Sequence, residues 1–294
     1  MSKPRIIVTG AHGRLGAALV REWKHLGEDV QGYGREELNL ADSTVLKAAL
    51  NQLNFDILVN CAAQTNVDRC EDHVEEAMQL NGHAVGVIGE ICRQKNARCI
   101  HISTDYVFDG NKTTPYTEKD EALPISKYGE SKLLGEKTLL SVSDKHLVAR
   151  VSWVFGPDRP SFVDQIIKRA MTQDKVDAIC DKIAVPTYTF DAAMLLHPLL
   201  YQTPASGLLH LCNNGSCTWQ EYGQFALDCA LEAGVSLKAH TIGPQKMQEL
   251  TAFIARRPPY TVMSTNLLSE LIGKPPREWR DAVKEYVNKQ AAYL

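Results

Sequence analysis

A short β-branched run, Arg5-Ile6-Ile7-Val8-Thr9, passes directly into Gly10-Ala11-His12-Gly13-Arg14-Leu15-Gly16 and then into the helical pattern Ala17-Ala18-Leu19-Val20-Arg21-Glu22-Trp23. No other stretch of the chain constrains the fold as strongly. Strand, glycine turn and helix in that order open a dinucleotide-binding unit, and each glycine has its own task. Gly10 allows the tight turn, Gly13 lets the backbone approach a pyrophosphate, and Gly16 lets the helix pack close to the sheet. The exposed N–H groups of the first helical turn then face an anion. His12, Arg14 and Leu15 lie on the same turn and are expected beside the bound dinucleotide.

The alternation continues downstream. Asp29-Val30-Gln31-Gly32-Tyr33 reads as a second strand, 44–53 as a helix, and Asp56-Ile57-Leu58-Val59-Asn60 as a third, buried strand. Apolar residues at helical spacing fill 74–95, 98–103 is a fourth strand, and 146–151 a fifth. Such alternation predicts an α/β fold with a doubly wound parallel sheet of the Rossmann type. Beyond Ser152 the pattern loosens into the turn Gly156-Pro157-Asp158-Arg159-Pro160 and helices near 162–171, 190–200, 219–233 and 277–288. The expected division is a dinucleotide-binding domain over 1–152, with 185–212 returning to it, and a smaller substrate lobe from 153–184 and 213–294.

Composition narrows the function classes. A length of 294 residues suits one α/β domain plus a smaller lobe. A net charge of −3 carries no electrostatic footprint for nucleic acid or an anionic membrane. No apolar run approaches the ~18 residues that a membrane span needs. Met1-Ser2-Lys3-Pro4-Arg5 leads into a strand core too short for a secretion signal, so a cytoplasmic protein is expected. The eight cysteines form no C-x-x-C pair and read as reduced core thiols; the nine histidines show no ligand spacing, and no metal site is predicted.

The chemistry concentrates in Ser126-Lys127-Tyr128-Gly129-Glu130-Ser131-Lys132, with Ser103-Thr104 one strand upstream. Residues i and i+4 share a helix face, so the Tyr128 phenol and the Lys132 ammonium point into one space. A free phenol has a pKa of about 10, too high for easy proton exchange at neutral pH. A neighbouring cation stabilises the phenolate and is expected to make Tyr128 a usable acid or base.

The G-x-x-G-x-x-G turn, the Ser-Thr pair and Tyr-x-x-x-Lys together resemble the extended short-chain dehydrogenase/reductase family. Asn60-Cys61-Ala62-Ala63-Gln64-Thr65-Asn66-Val67-Asp68 is similar to that family's N-A-A-x-T-x-V-D segment. Ser103-Thr104-Asp105-Tyr106-Val107-Phe108-Asp109-Gly110 is similar to the S-T-D-Y-V-F-D-G of dTDP-4-dehydrorhamnose reductases. So are Ser152-Trp153-Val154-Phe155-Gly156, Val185-Pro186-Thr187, Gly207-Leu208-Leu209-His210-Leu211 and Arg257-Pro258. The resemblance implies hydride transfer from a reduced nicotinamide to the C4 ketone of a nucleotide-linked 6-deoxysugar.

In that scheme the nascent alkoxide needs a proton, which Tyr128 supplies. Lys132 lowers the phenol pKa and bonds the ribose, and Thr104 donates a hydrogen bond to the same oxygen. Ala62, Ala63 and Thr65 are implied in cofactor binding; Thr65, Val67, Thr104, Asp105, Tyr106 and Trp153 in holding substrate. Asp105 is equally suited to capping its turn. Arg257 is expected at the substrate diphosphate, because a guanidinium matches phosphate geometry.

An acid ending the second strand would bond the ribose 2′-hydroxyl and repel a 2′-phosphate. Here that end reads Gly32-Tyr33-Gly34-Arg35, so Arg35, with Arg14, favours NADPH over NADH, although Glu36 and Glu37 follow at once. The family's L-D-I-T-D is Leu38-Asn39-Leu40-Ala41-Asp42, which leaves Asn39 and Leu40 to meet the adenine without an anion. Its D-Q-x-G-x-P-T is Asp181-Lys182-Ile183-Ala184-Val185-Pro186-Thr187. Ala18 stands at one position where some members carry an acid for a metal bridge between subunits; a homodimer is compatible with the sequence but not fixed by it.

Three rivals to the ketoreductase share parts of this pattern. A dehydratase needs an acid directly after Thr104-Asp105, where Tyr106 stands. A 4-epimerase or another sugar-nucleotide oxidoreductase shares the dyad, and the octapeptide at Ser103 argues against it. A non-catalytic regulatory subunit like that of methionine adenosyltransferase keeps both Tyr and Lys, so the dyad alone does not separate it.

Overall fold

The computed structural model describes residues 3–201, 205–250 and 252–293. Its first half winds β1 (Arg5–Thr9), α1 (Arg14–His25), β2 (Asp29–Tyr33), α2 (Ser43–Gln52) and β3 (Ile57–Asn60). Short helices α3 (Val67–Asp72) and α4 (Val74–Met78) lead to α5 (Ala84–Gln94), β4 (Arg98–Thr104), α6 (Lys127–Val142) and β5 (Leu147–Val151). The two-residue β6 (Val154–Phe155) then leaves the sheet for the second lobe.

That lobe holds α7 (Phe162–Thr172), β7 (Val176–Ile179), β8 (Ile183–Ala184) and β9 (Thr187–Tyr188). Helix α8 (Thr189–Leu196) and β10 (Gly207–His210) cross back to the sheet. The chain then makes β11 (Cys217–Thr218), α9 (Trp219–Glu232), β12 (Ile242–Gln245), α10 (Asn266–Ile272) and α11 (Trp279–Gln290).

Six strands form one sheet in the order β10-β5-β4-β3-β1-β2, and every pair in it is parallel. Parallel strands covered by helices on both faces must be apolar throughout. Ile57-Leu58-Val59 and Leu147-Val148-Ala149 are buried without a break. One face packs under α1 and α8 through Leu15, Leu19, Trp23, Ala192 and Leu196. The opposite face packs under α2, α5 and α6 through Leu46, Leu50, Val85, Ile88 and Leu139. The second lobe closes its own aromatic-rich core of Phe155, Tyr188, Tyr222, Trp279 and Tyr286.

One expectation changes in detail. The helical run expected over 74–95 is broken into α4 and α5 by a π-helical turn, Gln79–His83. At that turn Asn81 is fully buried; its amide donates to Gln64 O (3.0 Å) and Ser131 Oγ (2.9 Å), and its Oδ1 accepts from Gln64 N (2.8 Å). The wider turn thus pins the loop after β3 to α6, a use in keeping with the place of π-bulges near functional sites.

Candidate active site

The strand order reverses between β1 and β3, the switch point at which open α/β sheets bind ligands beyond the carboxyl ends of their strands. A cavity of about 660 Å3 lies there. Gly10 follows β1, Gly34 and Arg35 follow β2, Cys61-Ala62-Ala63 follow β3, Thr104 ends β4, and Ser152-Trp153 follow β5; all of them line it. So do His12, Gly13, Arg14, Leu15, Gly16, Asn39, Leu40, Thr65, Val67, Asp105, Tyr106, Tyr128 and Lys132. Of the residues proposed from sequence, Arg257 alone lies off the cavity wall among the described residues.

The glycine turn has the shape a dinucleotide needs. Gly10 sits at φ +66°, and a Cβ there would stand 2.7 Å from Ala62 N. A Cβ on Gly16 would stand 2.3 Å from Gly10 O, so α1 can approach the turn only without one. Gly13 caps α1 with no side-chain hydrogen bond, and the first turn carries no acid. Its amides are therefore available to a pyrophosphate. Those features fit an NAD(P)-type group.

Two arginines fold over this turn. Arg14 donates to Val154 O (3.1 Å), Arg159 O (3.1 Å) and Pro160 O, while Arg159 Nε donates to His12 O (2.7 Å). Arg14 is thus largely spent on the carbonyls of the 154–160 segment. Arg35 remains exposed at the cavity edge. Glu37 turns back to accept from Gly34 N (2.8 Å), and Asn39 accepts from Ala41 N (3.0 Å) in a local turn.

Helix α6 delivers the dyad. Ser126 caps it, its Oγ accepting from Gly129 N (3.2 Å), which sets Tyr128 in the first turn and Lys132 one turn on. Both side chains are buried against β4. Burial pushes the Tyr128 phenol above its ordinary range, opposed by hydrogen bonding with the Thr104 hydroxyl. This differs from the expected depression by Lys132. The Lys132 Nζ donates instead to Ile102 O (2.7 Å) and meets His101 Nε2 at 3.2 Å, and burial pushes the amine down to about 8. Desolvation is the largest cause of the shift at both groups.

Behind the substrate end lies a buried polar cluster. Asp105 Oδ2 accepts from Thr261 Oγ1 (2.5 Å), and Thr104 Oγ1 donates to Asp105 Oδ1 (3.1 Å). Thr104 Oγ1 in turn accepts from Tyr106 N (3.2 Å). Burial raises the Asp105 carboxyl, and the Lys182 ammonium opposes that rise. Lys182, the departure from the family's glutamine, is wholly buried, donates to Pro258 O (2.6 Å) and stands 4.8 Å over the Tyr106 ring. Asp105 is therefore held within the protein on this side.

Arg257, expected at a diphosphate, makes a two-pronged ion pair with Asp68 instead (3.0 and 2.6 Å) and lies 3.5 Å over the Phe253 ring. Its fork is occupied by a carboxylate already present. Trp153 lines the cavity at φ +40°, stacked on Tyr222 (6.1 Å) and edge-on to Trp219 (5.5 Å). A non-glycine residue at positive φ is strained, as residues held at ligand sites often are. Sequence reasoning missed Arg159, Gln64 and Glu76, which also line the cavity. Arg159 stood in a proline-flanked turn, and nothing local announces that the turn folds back over the glycine loop.

The sequence model of the family described as RmlD substrate binding domain matches residues 4–292. Among curated proteins, the spore coat polysaccharide biosynthesis protein SpsK of Bacillus subtilis is 33% identical over 98% of this chain and 98% of its own. The dTDP-4-dehydrorhamnose reductase of Streptomyces griseus is 32% identical over 96% of this chain and 93% of its own. Among solved structures, a dTDP-4-dehydrorhamnose reductase from Bacillus anthracis, in complex with NADP, superposes with a TM-score of 0.91 at 27% identity, covering 98% of this chain and 100% of its own.

Proposed function

Because the chain belongs to the RmlD substrate-binding-domain family, we propose that it is an NAD(P)H-dependent reductase of the C4 ketone of a dTDP-linked 6-deoxysugar. The observation that carries this reading is the meeting of Thr104, Tyr128 and Lys132 on one wall of a cavity whose other end is the glycine turn. The bound nicotinamide supplies the hydride. The 153–184 and 213–294 lobe, in this reading, takes the sugar and nucleotide.

The chain's own groups handle the proton. A phenol raised by burial stays protonated through the neutral range, which suits a donor. A sugar alkoxide is more basic than an ordinary phenolate, so Tyr128 can protonate it where a neighbouring cation offsets the rise from burial. The Thr104 hydroxyl, which donates to Asp105 in the free protein, turns its one proton to the oxygen as charge develops. The phenolate left behind is stabilised by that hydroxyl and by Lys132 once charged. Burial of Thr104, Tyr128 and Lys132 strengthens each of these contacts. Arg35 favours NADPH.

The test is NADPH oxidation with dTDP-4-dehydrorhamnose, wild type against Tyr128→Phe. Phenylalanine keeps the packing against Tyr106 and removes the transferable proton. We expect kcat to fall by about 10²–10⁴ while NADPH binding persists, the scale of general acid catalysis. Equal turnover by both proteins, or none by either, would overturn the assignment.

A further inference from the structure

His101 takes no part in the chemistry above, yet it is wholly buried in β4 directly behind Lys132. A chain of hydrogen bonds fixes its tautomer. Asn60 Oδ1 accepts from Ala62 N (3.2 Å) and from Thr9 Oγ1 (2.6 Å). Turning the amide over would set its NH2 against the Ala62 N–H, donor against donor. Asn60 Nδ2 therefore donates to His101 Nδ1 (3.0 Å). With Nδ1 accepting, the ring proton sits on Nε2, and Nε2–H points at Lys132 Nζ, 3.2 Å away.

An ammonium has three donors and no lone pair, so it cannot receive that N–H. A neutral amine can. Its lone pair takes Nε2–H, one N–H goes to Ile102 O (2.7 Å), and one is left for the cavity that Lys132 lines. Burial disfavours the cation, and the Glu136 charge opposes that. On the same helix, Glu136 is committed to Arg150 of β5 (2.9 and 2.6 Å) and to Ser103 of β4 (2.5 Å). From the loop after β3, Cys61 is a thiol that burial pushes up to about 12, hence uncharged. Tyr128, one turn back, is a neutral phenol, and burial keeps His101 itself uncharged. No free carboxylate faces the amine among the described residues.

We propose that His101 is a positioning residue that, in alkaline solution, stores Lys132 as a neutral amine in the cofactor-free protein, and that filling the dinucleotide site then charges Lys132 with one proton taken from solvent. The inference rests on the cavity being an NAD(P)H site. The balance is simple: amine plus proton gives ammonium, which turns off Nε2–H and donates to acceptors brought by the ligand, whose diphosphate charge favours the cation. In that alkaline range Tyr128 gains its cationic neighbour when cofactor binds.

The experiment is calorimetric titration of NADPH into the whole protein in buffers of different ionisation enthalpy, which counts protons taken up per cofactor bound. Lys132 is pushed down to about 8 in the free state. Against an ordinary lysine near ~10.4, uptake should exceed roughly half a proton near pH ~9 and fade towards pH ~7. His101→Gln gives the ammonium an acceptor in the free protein and should cut uptake to less than roughly half of wild type. A nitrogen NMR resonance of Lys132, assigned by its loss in Lys132→Met, should move from an amine to an ammonium position when NADPH is added to wild type. Binding without uptake, unchanged uptake in His101→Gln, or an ammonium resonance in the free protein at pH ~9 each overturns the proposal. No binding at all overturns the site reading instead.

Discussion

At the scale of single residues, burial rather than pairing sets the state of the groups that matter. Tyr128 and Lys132 stand four apart on one helix face, yet desolvation moves the phenol up and the amine down. Arg35 is the contrasting case, exposed at the end of β2 with Glu37 turned back onto Gly34 N. A guanidinium there is free for a 2′-phosphate. Arg35→Ala should lower the ratio of kcat/KM for NADPH over NADH by roughly tenfold, about 1.4 kcal/mol, the lower end for a charged hydrogen bond in solvent. Steady-state kinetics with the two cofactors checks it; an unchanged ratio removes Arg35 from cofactor selection.

Helix α6 shows how an element turns local order into site geometry. Its start is set by Ser126, whose cap holds the turn that carries Tyr128. Ser126→Ala should cost about 1 kcal/mol in a urea melt, the usual worth of such a cap. It should also lower kcat, since fraying of the first turn moves the phenol, whereas Ser126→Thr should restore most of both. A loss of stability with kcat intact would mean the cap is remote from the chemistry. The helix itself was legible from the Tyr-Lys spacing. The π turn at Gln79–His83 was not, because it answers to contacts of Asn81 with Gln64 and Ser131 that lie far away in sequence.

At the scale of the whole molecule, three histidines among the described residues are buried in or beside the sheet, His101, His146 and His210, each held below the ordinary imidazole range chiefly by burial. His210 is pushed down to about 3. Because its folded pKa lies below the unfolded value of ~6.5, the unfolded chain binds more protons between these limits. Stability is full above ~6.5 and is lost as pH falls towards 3. At pH ~5 the loss from His210 alone is about 2 kcal/mol. The thermal midpoint should therefore drop steadily from pH ~7 to ~5, and His210→Gln should flatten that slope. A midpoint level across that range, or equal slopes in both proteins, counts against the buried neutral imidazole.

The order of residues along the chain determined whatever depends on near neighbours. The β1–glycine turn–α1 unit, the alternation that gives a parallel sheet, and the shared face of Tyr128 and Lys132 all follow from periodicity and sterics within a few residues. Tertiary structure alone decided the rest. It drew Asp68 and Arg257, 189 residues apart, into the ion pair that takes Arg257 off the cavity wall. It folded Arg159 onto the His12 carbonyl and set Lys182 beside Asp105. Protonation belongs to the same class, since desolvation is a property of surroundings assembled from many segments, and a linear sequence records no surroundings.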